Sequence, residues 1–208
     1  MSVLLTASLS AALPLSAASH VDVVKMRTEN RVNPLGIGTS TPRFSWQITS
    51  DRKGVVQTSY QILVASSREK LDRNEADLWD SGERNSDEQL WIPYQGKALL
   101  SGAQAYWKVR ITTNKGKSEW TEPQLFTIGL LGETKWSGTW IGLEDLQPGE
   151  QKGMHTRLAA RYIRKDFAAK GKVKRALAYV AGLGVYEFYV NGPVSYTHLR
   201  AHETGAYL

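Results

Sequence analysis

The chain has no cysteine, which excludes disulfide bonds, thiolate zinc sites and cysteine nucleophiles. It also lacks the phosphate-binding loop Gly-x-x-x-x-Gly-Lys and the Gly-x-Ser-x-Gly turn that presents a nucleophilic serine. Gly182-Leu183-Gly184 matches the start of a dinucleotide-binding loop, but Glu187 stands where the third glycine belongs. These absences remove the common signals for nucleotide cofactors, and we predict no cofactor-binding residues.

The first 20 residues contain no Lys, Arg, Asp or Glu. An apolar stretch from Leu9 to Leu15 precedes the small residues Ser16-Ala17-Ala18, as at a signal peptidase site. Pro14 and the short length argue against a membrane span. The pattern predicts a secretory signal peptide over residues 1–20 and export to the periplasm or the extracellular space. No positive residue precedes Val3, so a disordered Ala/Ser leader stays an alternative.

Charge is in modest excess, with 26 Lys and Arg against 20 Asp and Glu and a net charge of +6. Residues 152–175 carry most of the clustered basic side chains. A nucleic-acid footprint and the solvated face of a hairpin both have this composition. Since neither a recognition helix nor an RNA-binding signature accompanies the cluster, we predict no nucleic-acid partner.

The composition favours a β-protein with a substantial core. Of the residues, 41% are apolar, and seven Trp are accompanied by 18 Gly and 7 Pro. Phe44, Trp46 and Ile48 alternate with polar residues, and the Tyr106–Thr112 segment alternates in the same way around Trp107. A period of two is typical of half-buried antiparallel strands, so we predict that Trp46 and Trp107 lie in the core.

Further strands and turns complete the pattern. Residues 60–65 are nearly all apolar, as in a central strand, Pro93 places the 90–94 segment at an edge, and residues 125–128 close the set. Turn signals stand at 51–54, 80–82 and 114–116, and only 69–78 is compatible with a helical turn. About seven strands over roughly 100 residues predict a fibronectin/immunoglobulin-like β-sandwich over residues 21–129.

Three tryptophans beside turns are ambiguous. Trp79, Trp91 and Trp120 could stack on sugar rings or belong to the core, and their sequence context does not decide between the two.

Several motifs in order resemble the N-terminal region of bacterial α-L-rhamnosidases. They are residues 27–37 (RTENRVNPLGI), 41–46 (TPRFSW), 57–65, 77–82 (DLWDSG), 106–110 (YWKVR) and 118–123 (SEWTEP). The resemblance extends from about Lys25 to Gly192. It implies inverting hydrolysis by acidic residues in an (α/α)₆ barrel downstream of the matched region. No catalytic position can therefore be transferred to this chain.

The same resemblance implies that residues 130–192 begin a second sandwich of jelly-roll type, which about 60 residues cannot complete because a jelly roll needs eight strands. Tyr186, Phe188 and Val190 alternate before Asn191-Gly192, a strong hairpin signal. We expect no returning strand after Gly192, and residues 193–208 do not resemble the family. The predicted fold class is thus all-β, a fibronectin/immunoglobulin-like β-sandwich followed by an incomplete second β-sandwich of jelly-roll type.

No catalytic or metal-binding residue is predicted. The acidic neighbours Asp77 with Asp80, Glu119 with Glu122, and Glu144 with Asp145 lie in polar turns, where a carboxylate stays solvated and ionised. His198 and His202 are four residues apart beside Glu203, but their order is not His-Glu-x-x-His.

The functional hypothesis is an N-terminal, non-catalytic fragment of an α-L-rhamnosidase, whose full-length form hydrolyses terminal α-L-rhamnosyl residues with inversion. Its expected partners are the downstream catalytic barrel and, for the full enzyme, a rhamnosylated glycan or glycoside, with no membrane span. The alternative is a stand-alone carbohydrate-binding module or a fibronectin-type spacer of an exported protein.

Overall fold

The structure, a computed structural model, describes residues 21–132, 136–142, 146–151, 153, 160–182, 185–192 and 194–198. The chain divides into two compact units, Met1–Thr139 and Trp140–Leu208. Regular structure in the described residues is almost entirely β, with one short helix, α1 (Arg68–Asp72). The strands are β1 (Val21–Thr28), β2 (Arg43–Ser50), β3 (Gln57–Ala65), β4 (Trp79–Asp80), β5 (Arg84–Asn85), β6 (Ile92–Pro93), β7 (Gln104–Thr113), β8 (Gly116–Lys117), β9 (Gln124–Thr127), β10 (Tyr186–Tyr189) and β11 (Val194–His198).

Two antiparallel sheets form the first unit. One has the order β1-β2-β6, and the other is built on the long β3–β7 pair, with β4 and β5 on the free edge of β3 and β8 and β9 on β7. Nine strands therefore stand where about seven are predicted. One of the two additional strands arises because β4 and β5 are two pieces of one edge, interrupted where the Ser81 hydroxyl accepts a hydrogen bond from the Ile62 N–H at 2.8 Å. The other is the two-residue strand β8, which pairs with the end of β7.

Trp46 and Trp107 lie in the core between the sheets, as predicted, with 1% and 0% exposure. Phe44 of β2 meets Trp107 of β7 with ring centroids 4.4 Å apart, and this contact joins the two sheets. Because a buried aromatic side chain hides roughly 150–250 Å² of surface, these rings supply much of the apolar burial.

The outer face of the second sheet is also covered. Leu71 of α1 is fully buried against Leu63 and Ala65 of β3. Lys108, which alternates outward from the core along β7, is consequently 5% exposed. The predicted helical turn over 69–78 is shorter in the structure, since Asn74 adopts a left-handed conformation (φ 60°) that ends the helix.

The edge position of Pro93 is confirmed, since β6 lies at the edge of the first sheet. The predicted alternation of Leu90, Ile92 and Tyr94 holds only in part. Ile92 and Tyr94 are buried, whereas Leu90 is 64% exposed. Trp91 between them has a left-handed backbone (φ 60°), which breaks the extended geometry that alternation requires.

In the second unit the prediction that no strand returns after Gly192 is wrong. β10 pairs antiparallel with β11, with Tyr186 opposite His198 and Phe188 opposite Tyr196. Asn191 and Gly192 both have positive φ, as a tight reversal requires. The Val-Ser-Tyr-Thr-His segment is rich in β-formers, so it can pair whether or not it resembles a family.

Candidate docking surface

The loop between β1 and β2 is fixed against the end of β9. The Thr127 hydroxyl accepts a hydrogen bond from the Gly36 N–H, and the Thr127 carbonyl accepts one from the Ile37 N–H, both at 2.8 Å. The Thr127 N–H donates to the Pro34 carbonyl at 3.0 Å, and the Gly129 N–H donates to the Ile37 carbonyl at 2.8 Å. Ile37 and Ile128 form a parallel bridge. These bonds link residues about 90 positions apart, so the loop is a rigid part of the domain at the point where the chain leaves it.

Two glycines allow this close approach. A Cβ on Gly129 would lie 2.9 Å from the carbonyl oxygen of Gly36, closer than side chains normally approach backbone. Gly36 itself has a φ of +73°, a region that non-glycine residues rarely adopt.

Two exposed leucines flank the exit of the chain. Leu35 is 71% exposed and Leu100 is 73% exposed. Leu35 precedes the fixed Gly36, and Leu100 precedes Ser101, whose hydroxyl accepts a hydrogen bond from the Leu131 N–H at 2.9 Å. We call Leu35, Leu100 and residues 130–131 the exit surface. Apolar side chains held on rigid backbone are typical of protein interaction sites.

An open cavity of about 430 Å³ lies beside the exit surface, lined by Glu29, Arg31 and residues 34–39. Glu29 binds Arg43 through both carboxylate oxygens, at 3.1 and 2.8 Å, and accepts the Arg43 backbone N–H at 2.8 Å. These hydrogen bonds from Arg43 lower the pKa of Glu29 below its usual value. The Arg43 guanidinium in turn lies 4.1 Å from the ring centroid of Trp91.

Among the three ambiguous tryptophans, Trp91 is the most accessible, at 42% exposure. The backbone N–H of Trp91 donates to the Ser45 hydroxyl at 3.0 Å, and this bond fixes the left-handed backbone of Trp91. Trp79 instead packs on the core, with its ring 5.4 Å from that of Tyr94. Trp120 has the Arg110 guanidinium 4.4 Å from its centroid. The structure therefore assigns structural contacts to Trp79 and Trp120.

Asp77 and Asp80 bind different partners. Asp77 accepts from the Ser66 N–H and hydroxyl and from the Lys70 ammonium. Burial raises the pKa of Asp77, but the hydrogen bonds from Lys70 and Ser66 outweigh burial and lower the pKa to about 2. Asp80 accepts from the Gln61 amide at 2.9 Å. A general acid needs a raised pKa, and the environment of Asp77 has the opposite effect.

Of the other acidic and histidine candidates, only Glu119, Glu122 and His198 lie in the part of the chain that the structure describes. Glu122 pairs with Arg68 at the surface, Glu119 is exposed, and Glu144 with Asp145 lies outside the described residues. His198 is part of a strand rather than a helix, and His202 and Glu203 are also outside the described residues. Within the described residues no group of three or more potential metal ligands is present, and no helix has the length and apolarity to cross a membrane.

Alternation of apolar and polar residues does not indicate the exit surface. Leu35 lies inside one of the motifs, and Leu100 follows the buried Leu99, yet neither belongs to a periodic segment. An apolar residue directly before the Ser101-Gly102 turn is the one signal that could have indicated Leu100.

Residues 23–132, more than half of the chain, match the family model described as "Rha78A-like, N-terminal immunoglobulin domain". The chain belongs to this family. The Rha78A-like immunoglobulin domain thus coincides with the two-sheet sandwich and includes the exit surface. The predicted resemblance and the predicted all-β fold with an immunoglobulin-like sandwich are confirmed.

Relatives of this Rha78A-like chain are much longer. An α-L-rhamnosidase of Formosa agariphila is 35% identical over 189 residues, which cover 84% of this chain and 20% of the relative. An α-L-rhamnosidase of Alteromonas sp. (strain LOR) is 36% identical over 79% of this chain and 18% of its own length. The crystal structure of Streptomyces avermitilis α-L-rhamnosidase complexed with L-rhamnose matches 59% of this chain and 12% of that protein, with a TM-score of 0.55 and 36% identity. The chain therefore spans about a fifth of the length of the curated relatives that it matches.

Proposed function

We propose that the chain is the N-terminal, non-catalytic part of an α-L-rhamnosidase whose full-length form hydrolyses terminal α-L-rhamnosyl residues with inversion. The observation that carries the proposal is the alignment of this chain with α-L-rhamnosidases over a fifth or less of their length. The ionised state that the lowered pKa of Asp77 favours also fits a domain without a general acid.

Turnover of an aryl α-L-rhamnoside tests this function. The purified 208-residue chain should release no aryl alcohol above background, whereas the polypeptide extended through the downstream reading frame should do so. Hydrolysis by the 208-residue chain that L-rhamnose inhibits would contradict the non-catalytic assignment, and an inactive extended polypeptide would contradict the rhamnosidase assignment.

The role of the domain in this proposal is to pack on the downstream catalytic region through the exit surface. Hydrogen bonds fix the backbone next to Leu35 and next to Leu100, so docking at these residues orders little additional backbone. Burying a leucine side chain contributes roughly 1.5–3 kcal/mol. The two leucines can therefore supply much of the free energy of such a contact.

Serine substitutions separate docking from folding. Leu35→Ser and Leu100→Ser should lower the melting temperature of the extended polypeptide but leave that of the 208-residue chain unchanged. Leu90→Ser is the matched control, since Leu90 is also exposed but lies beside the edge strand of the first sheet. An equal effect of all three substitutions on the extended polypeptide would refute the docking role.

Export is part of the same proposal. Residues 1–20 are uncharged apart from the amino terminus and His20, which supports removal by signal peptidase. N-terminal sequencing of the exported protein should start near Val21. An exported protein that retains Met1 would disprove the leader.

We also propose that residues 130–192 are the beginning of a jelly roll and that residues 193–208 do not belong to the family. Tyr162 and Phe167 are 90% and 83% exposed, surface that a completed sandwich would cover. Residues 130–208 expressed alone should be insoluble or should unfold without cooperativity. A sharp thermal transition with dispersed amide resonances would exclude this domain assignment.

A further inference from the structure

A second open cavity, of about 590 Å³, lies at the end of the sandwich opposite to the exit surface. Gln57, which lines it, pairs with Thr113 at the end of β7. The exit surface lies beside Thr127, which pairs with Gln104 at the start of β7. Nine residue steps along a strand separate the two sites by roughly 30 Å.

Four polar side chains around this groove have no hydrogen bond or ion pair with other described residues. They are Gln47, Arg52, Asp87 and Gln89. Two amides, a carboxylate and a guanidinium offer both donors and acceptors. Such a set suits hydroxyl groups, each of which donates one hydrogen bond and accepts others.

The base of the groove is rigid. Gln57 is 2% exposed, and its amide donates to the carbonyls of Ser86 and Glu88 at 3.0 and 2.9 Å. These two bonds hold the backbone directly before and directly after Asp87. The backbone that carries Asp87 is thus held in place, which reduces the backbone entropy lost on binding.

An apolar strip completes the groove. Ile48, Val55 and Val56 line it, and Val56 is 53% exposed. A sugar that carries a methyl group in place of a hydroxymethyl group can place that methyl group on this strip. A hexose with a free hydroxymethyl group would instead bring a hydroxyl against it without a partner.

We propose that the groove binds a neutral saccharide that ends in a 6-deoxyhexose, namely L-rhamnose. The site itself follows from the groove, whereas the choice of L-rhamnose over other 6-deoxyhexoses rests on the proposed function. Binding here leaves the exit surface free, so the domain holds a glycan while it is docked on the catalytic region.

Titration of the 208-residue chain followed by ¹H–¹⁵N NMR tests this site. L-rhamnose and an α-L-rhamnosyl disaccharide should shift the side-chain amides of Gln47 and Gln89, with a dissociation constant on the order of 1 mM for the monosaccharide. D-glucose, which lacks the methyl group, should bind at least about tenfold more weakly.

Variants of exposed residues locate the site without affecting folding. Asp87→Ala and Gln47→Ala should each weaken binding about tenfold, because each removes a hydrogen bond to the sugar. Gln95→Ala is the matched control, since Gln95 is exposed but does not line the groove, and it should leave binding unchanged. Urea unfolding of each variant verifies that the domain is intact.

The outcomes are separable. The absence of saturable shifts, or equal binding by wild type, Asp87→Ala and Gln47→Ala, would overturn the site. Equal affinity for D-glucose and L-rhamnose would overturn the deoxyhexose specificity. A groove that binds L-rhamnose while the extended polypeptide has no rhamnosidase activity would overturn the proposed function alone, and activity without binding would overturn the groove alone.

Discussion

Replacing Gln57 with leucine tests how the two sheets are joined. The Gln57 amide oxygen accepts a hydrogen bond from the indole N–H of Trp46 at 3.0 Å, and its nitrogen donates to the carbonyls of Ser86 and Glu88. Leucine has a similar volume, so the change removes three hydrogen bonds without opening a large cavity. The substitution thus separates the contribution of the hydrogen bonds to stability from the contribution of packing.

The expected loss is about 2 kcal/mol in the free energy of unfolding. Leaving the indole N–H of Trp46 unpaired at 1% exposure costs roughly 1–3 kcal/mol. The carbonyls of Ser86 and Glu88 are only part-buried, so water replaces the amide at a cost of about 0.5 kcal/mol each. The added apolar burial of leucine returns roughly 1 kcal/mol.

Urea unfolding followed by tryptophan fluorescence measures this loss as a lower midpoint with an unchanged slope. Gln61→Leu is the matched control because its amide bonds to Asp80 and Arg110 are nearer to solvent, and it should cost less than about 1 kcal/mol. A loss below about 0.5 kcal/mol for Gln57→Leu, or equal losses for both variants, would refute the reasoning.

Three further changes probe other contacts. Gly129→Ala should destabilise the domain by about 2 kcal/mol in thermal unfolding, because the new Cβ would lie 2.9 Å from the Gly36 carbonyl oxygen. An unchanged melting temperature would contradict this, since it would mean that the backbone moves apart without cost. The pKa of Asp77 is about 2 in the folded state, below its ordinary value of 3.8, so its stabilisation is present above about pH 4 and is lost as the pH falls through 2. Because Asp77 is partly exposed, Asp77→Asn should reduce the loss of unfolding free energy between pH 4 and pH 2 by about 1 kcal/mol. The same dependence of unfolding free energy on pH in the variant and the wild type would contradict this. Lys108→Met keeps the packing of the aliphatic part of the side chain but removes the hydrogen bond to the Leu71 carbonyl. Amide hydrogen exchange in α1 should therefore become about tenfold faster, and unchanged exchange rates in α1 would disprove this.

The core was predictable because alternation around Trp46 and Trp107 reports directly which face of a strand is buried. Alternation does not report what covers the other face. Lys108 follows the outward pattern, yet α1 lies over it and buries its ammonium group against the Leu71 carbonyl. A tertiary contact between segments 37 residues apart decides this burial, and no local pattern contains it.

Local strain and pairing account for the other differences. The left-handed backbone of Trp91 breaks an alternation that the residue types alone suggest, and its N–H bond to Ser45 depends on a segment 46 residues away. After Gly192, the pairing of β11 follows from turn geometry and β-propensity, not from family resemblance. The exit surface depends on hydrogen bonds such as Gly36 to Thr127, so exposed leucines there carry no periodic signal.

The bond between the Gly36 N–H and the Thr127 hydroxyl has a consequence for biosynthesis. A nascent polypeptide emerges from the ribosome with its amino terminus first, so residues 34–37 wait without their partners Thr127 and Gly129 until β9 and the residues after it have been translated. Native closure of the sandwich therefore becomes possible only when the last strand of the domain has emerged, shortly before the second unit begins to appear.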